Sequence, residues 1–76
     1  MNINELKNEL ERLGISKELY SLQGGTLNDK LCLIHEKKWI IYYSERGLRT
    51  SAKEYASEDE ACEVFLRKVK RYADLT

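Results

Sequence analysis

The 76-residue chain has no proline, one histidine, one tryptophan and two cysteines, and its 13 Lys and Arg are balanced by 13 Asp and Glu. Each shortage excludes something. With zero net charge, the chain lacks the basic excess of a general nucleic-acid or membrane-surface binder, so either role would need a local patch. A single His and the absence of any Cys-x-x-Cys leave too few ligands for a zinc site, and no cofactor motif is present. No apolar run approaches the ~18 residues that span a bilayer. The opening Met1–Glu5 has neither a basic n-region nor an apolar h-region, so a cytosolic protein is expected. In that compartment Cys32 and Cys62 read as free core thiols. There is no repeat or low-complexity stretch, and the chain is too short for two cores, so one domain covering 1–76 is expected. One core of this size supplies only ~3–5 kcal/mol. A homodimer would enlarge it, and the sequence leaves that open.

Hydrophobic residues make up 42% of the chain and charged residues 34%, the balance of a folded rather than a disordered chain. Ile3, Leu6, Leu10 and Leu13 form one helical stripe, with Asn2 and Glu5 as a capping box and Gly14 at the left-handed position beyond the end. This predicts a helix over 3–13, with Ile15 supplying the hydrophobic contact after it. Short strands are predicted at 20–22, 31–35, 39–44 and 48–55, separated by Gly24-Gly25, a loop at Asn28-Asp29, the polar Glu36-Lys37-Lys38 and a turn at Arg46-Gly47. Ser57 and Glu60 form a second capping box. Ala61, Cys62, Phe65, Leu66, Val69, Tyr72 and Ala73 then repeat with helical period, predicting a helix over 58–72. The expected fold is a two-layer α+β domain, with an antiparallel sheet of three to four strands and both helices on one face.

Such a sheet has one side without helices. Trp39, Ile41, Tyr43 and Glu45 share one side of their strand, and Ile40, Tyr42 and Ser44 the other. Both sets contain large apolar groups. Either the open side keeps aromatic surface exposed, as protein-binding sites do, or the segment around Gly24–Lys30 covers it.

Enzymatic chemistry finds little support. His35 has no Ser, Cys or Asp in a local motif with it, and at a strand end a structural histidine is the simpler reading. Gly24-Gly25 lacks the spacing of a phosphate cradle. The basic residues Arg67, Lys68, Lys70 and Arg71 fit the negative end of the second helix, and Glu58, Asp59 and Glu60 fit its positive end. Glu54 and Glu63 stay free for an acidic contact surface. The densest segment is Tyr42-Tyr43-Ser44-Glu45-Arg46-Gly47. Tyr and Arg dominate interface hot spots, but the same string also suits a core strand ending in a salt-bridged turn. Both readings stand, since alternate residues face opposite ways.

That string joins others into a familiar order: Leu19-Tyr20-Ser21-Leu22, Gly24-Gly25, Cys32-Leu33, Trp39, Tyr42 to Gly47, then Ser57-Glu58-Asp59-Glu60-Ala61-Cys62 and Phe65-Leu66. Over about residues 19–66 the chain resembles a family of small bacterial immunity proteins from polymorphic-toxin and contact-dependent growth-inhibition systems. The family usually has a proline after the two glycines, where this chain has Thr26-Leu27-Asn28. The resemblance implies a protein without enzymatic activity, cofactor, nucleic-acid or membrane partner. It would bind one cognate toxin domain, in many cases a nuclease, and block it at the active site or an adjacent exosite. By residue type, Tyr42, Tyr43, Glu45, Arg46, Asp29 and Glu54 are the expected contacts. A small regulatory module that binds a different protein is the alternative.

Overall fold

The computed structural model describes residues 1–24 and 29–73. The elements are α1 (Ile3–Arg12), β1 (Tyr20–Ser21), β2 (Lys30–His35), β3 (Trp39–Glu45), β4 (Leu48–Tyr55) and α2 (Glu58–Tyr72). The second residue of the Gly24-Gly25 break and Asn28 of the expected loop lie outside the described residues.

Both helix starts follow from their caps. Asn2 Oδ1 accepts the Glu5 N–H at 2.8 Å and Glu5 Oε1 accepts the Asn2 N–H at 2.9 Å, completing the box. At α2, Ser57 Oγ accepts from the Glu60 N–H at 3.2 Å, which is half of the expected box. Glu58 instead reaches across to α1, where its Oε2 accepts the Ile3 N–H at 2.8 Å. That bond ties the two helix starts together through a donor the helix itself cannot satisfy. α1 stops at a Schellman motif. Ile15 N–H donates to the Leu10 carbonyl (3.2 Å) and Gly14 N–H to that of Glu11 (3.0 Å), with Gly14 at φ 69°.

The four strands form one sheet in the order β1-β2-β3-β4. β2 and β3 pair antiparallel, as do β3 and β4. The expectation of a purely antiparallel sheet needs one correction: β1 pairs parallel with β2, Tyr20 opposite Leu31 and Ser21 opposite Cys32. A parallel return normally takes a long crossover. Here β1 is two residues long, so a parallel return need recover only about 7 Å.

Arg46 and Gly47, at φ 52° and 83°, close the β3–β4 hairpin as a two-residue turn with Glu45 opposite Leu48. Further along, register shifts by one residue between Ile41 and Tyr43, and Ser51 takes φ 54° at this bulge.

Both helices cover one face. Leu6, Leu10, Leu31, Leu33, Ile41, Phe65 and Val69 form the centre of that core, and Phe65 meets Tyr20 edge-on at 6.4 Å. Phe65→Ala is expected to cost roughly 3–5 kcal/mol, as much as a core of this size provides, so the variant should be largely unfolded by circular dichroism.

The opposite face holds a second cluster of Cys32, Ile34 and Tyr42 with Ile40 packed against it. It is not an open aromatic surface, because Tyr42 is 3% exposed. Gly24 lies directly on it. A Cβ there would stand 2.7 Å from Ile34 Cγ2 and 2.9 Å from Tyr42 Oη. The Arg49 guanidinium lies 4.9 Å from the Tyr42 ring centre, held by Glu36 at 3.1 Å and 3.4 Å. That guanidinium keeps the Glu36 carboxyl below its usual range.

Both cysteines are free and buried. Cys32 belongs to the open-face cluster and Cys62 to the helix-side core, so the sheet separates them and no disulfide can join them. Burial, with Glu58 adding to it, pushes the Cys62 thiol up to about 11.

Candidate functional site: a groove beside the hairpin turn

Alternation puts Tyr43 and Glu45 on the helix side of β3, and their partners Thr50 and Leu48 on the same side of β4. α2 runs past this end of the sheet and contributes Lys68 and Tyr72, one helical turn apart. Between them lies an open groove of about 300 Å³ lined by Tyr43, Glu45, Thr50, Ser51, Lys68 and Tyr72. The Tyr43 and Tyr72 rings meet at 6.1 Å with a 32° tilt. Thr50 Oγ1 donates to the Tyr43 carbonyl at 2.9 Å, which fixes the β4 wall. Desolvation, with Asp29 nearby, raises the Tyr43 phenol, so its hydroxyl stays protonated at neutral pH and can donate.

The turn itself is tethered from β2's side. Asp29 Oδ1 accepts the Arg46 N–H at 3.2 Å. Its side chain is thereby engaged with the turn backbone, and the Arg46 guanidinium is left exposed. Of the six expected contacts, Tyr43, Glu45, Arg46 and Asp29 thus gather at one end of the sheet. Two do not join them. Tyr42 is buried on the other face beneath Gly24 and Arg49, because adjacent strand residues point opposite ways. Glu54 sits opposite Ile40, five residues along β3 from Glu45 or about 17 Å, and lies 3.9 Å from Lys38 Nζ.

Three residues at this end of the sheet escaped the expectation. Leu48 and Tyr72 are the large apolar side chains that stay exposed among the described residues, at 69% and 58%. Tyr72 belongs to the apolar stripe of α2 by period, yet the stripe outruns the sheet and its last turn has little to pack on. Lys68 reads as a dipole-complementing charge. The pairing of Glu45 with Leu48 and the Lys68/Tyr72 spacing of four were the available signals.

Elsewhere the chemistry is sparse. His35 stacks flat on Trp39, ring centres 4.0 Å apart and 3° from parallel. Asp59 and Glu63 flank the Met1 nitrogen. Among the described residues no group of three or more His, Cys, Asp or Glu could hold a metal. No helix among them is long and apolar enough to cross a membrane.

No protein-family model, curated protein or solved structure matches the chain.

Proposed function

We propose that the chain is an immunity protein, which binds and neutralises a cognate bacterial toxin domain by docking it on the hairpin groove. The single observation that carries this reading is the position of Leu48 and Tyr72. Tyr72 lines the groove with Tyr43 and Glu45, and Leu48 pairs with Glu45 across the hairpin beside it, next to Arg46 at the turn. A large apolar group left in water beside charges is the composition of an interface centre. The segment Tyr42–Gly47, which carries the family resemblance, builds one wall of the same groove.

The groove's charges refine the mode of inhibition. Glu45 and Lys68 line it together, and Arg46 stands at the turn. A surface of both signs matches discrete partner charges better than a uniformly basic substrate channel, so docking at an exosite fits better than plugging a nuclease active site. Tyr72, Tyr43 and Leu48 would provide the apolar centre, and Arg46 and Glu45 the flanking charge pairs.

The test is bacterial survival. The C-terminal domain encoded by the upstream neighbouring gene is induced with and without this chain in the same cell. Rescue by this chain, lost with Leu48→Ser/Tyr72→Ala and absent with a non-cognate immunity protein, is the expected result. Toxicity that this chain does not relieve would reject the inhibitor reading.

A further inference from the structure

A second groove lies along the other edge of the sheet, between α1 and β1. It holds about 400 Å³. Ile3, Tyr20 and Leu22 form its apolar part, and Lys7 of α1, Lys17 of the α1–β1 connection and Lys30 of β2 line it. Glu11 is the one acid among the described residues lining it. None of the three lysines has a carboxylate within ion-pair distance among the described residues, whereas Arg12, Lys38 and Arg49 each have one. On a chain of zero net charge, this gathers uncompensated positive charge over an apolar floor.

We propose that this groove binds an acidic segment of a partner protein that carries an apolar side chain. The apolar side chain would rest on Ile3 and Leu22, both half-buried, against the buried Tyr20 ring. Carboxylates on either side of it would face Lys7 and Lys17 across the groove and Lys30 at the start of β2. Three ammonium groups lining one groove complement a pair of bound carboxylates. The groove does not suit nucleic acid. Base stacking needs an exposed aromatic face, and Tyr20, the aromatic residue lining it, is 7% exposed. This surface lies on the β1 edge and is independent of the hairpin groove on the β4 side.

The test is an amide-resolved NMR titration of the full chain with three pools of decapeptides. The first has Asp or Glu flanking a central Leu or Phe, the second replaces the acids by Asn or Gln, and the third replaces the apolar residue by Ser. The expected result is that the first pool shifts the amides of Lys7, Lys17, Leu22 and Lys30, with the other two binding at least tenfold more weakly. Lys7→Gln/Lys17→Gln, whose melting temperature should match the parent, is expected to weaken the first pool tenfold or more. Lys30→Gln provides a second, independent variant. The proposal is overturned by equal binding of the acidic and neutral pools, by no shift at millimolar peptide, or by shifts centred on Tyr43 and Tyr72 instead. It is also overturned if a thymidylate decamer moves the same amides as strongly, which would make the groove a general polyanion site.

Discussion

Gly24→Ala and Gly14→Ala make a matched pair whose difference isolates one contact. Both glycines have φ near 70°, a backbone region that costs an L-residue roughly 1–2 kcal/mol. Part of that is returned because alanine restricts the unfolded chain. At Gly14 a Cβ meets nothing within 4 Å, so Gly14→Ala should cost only the conformational term, about 1 kcal/mol. At Gly24 the same atom would stand 2.7 Å from Ile34 Cγ2 and 2.9 Å from Tyr42 Oη. Optimal heavy-atom contacts lie near ~3.5–4.0 Å, so the open-face cluster must spread, adding about 1–3 kcal/mol. Gly24→Ala should therefore cost about 2–4 kcal/mol. Urea titrations fitted with a common slope would measure both. A second readout separates local from global damage. Cys32 lies in the cluster that Gly24 closes and Cys62 does not, so Gly24→Ala should speed thiol labelling of Cys32 more than of Cys62. If Gly24→Ala costs no more than Gly14→Ala, the packing of Gly24 over Tyr42 is wrong.

Three further outcomes are expected. Arg46→Asn should raise stability by roughly 0.5–1 kcal/mol, because Asn-Gly suits this turn and the Asp29 bond uses backbone N–H, while weakening binding of the proposed toxin domain; a melting scan and a titration with that domain would read the two effects. Leu48→Ser and Tyr72→Ala should each lower affinity for the proposed toxin domain at least tenfold, about 1.4 kcal/mol, with little change in melting temperature, since both side chains are largely exposed; a matching fall in stability would contradict an interface role. Alkaline pH should destabilise the protein through Cys62. Its native thiol stays protonated up to about 11, whereas the unfolded thiol ionises near 9, so unfolding free energy falls by about 1.4 kcal/mol per pH unit between those values and levels off above; Cys62→Ala should show a shallower decline from pH 8 to 10.5 in parallel denaturation curves.

The helices were legible because local chemistry specifies their ends. Asn2, Glu5 and Gly14 make contacts within a few residues of themselves, and so does Ser57 at α2. β2 and β3 were legible from apolar, β-branched and aromatic runs, and β4 as the polar return after the Arg46-Gly47 turn. What the sequence hid was longer in range. The parallel pairing of β1 depends on its being two residues long. The burial of Tyr42 depends on a glycine eighteen positions earlier lying on the ring. The tether from Asp29 to Arg46 crosses seventeen positions. For the candidate site, the Tyr42–Gly47 string pointed to the hairpin end of the sheet, where Tyr43, Glu45, Arg46 and Asp29 gather. It could not tell which tyrosine takes the helix side, because that depends on which side the helices cover: Tyr43 packs there beside Tyr72, and the Tyr42 side chain is buried in the cluster on the other face.

The bulge at Ser51 bears on how the outer strand resists pairing with other molecules. β4 is eight residues long and forms an outer edge of the sheet, a length at which unpaired backbone invites strands from other molecules. The left-handed kink at Ser51 divides it into stretches of about three regular residues on either side, too short to template a growing ribbon. Deleting Ser51 would restore one straight edge along Leu48–Tyr55, and the variant is expected to self-associate more readily than the parent in light scattering, with only the charges of Arg49, Lys53 and Glu54 left to oppose pairing.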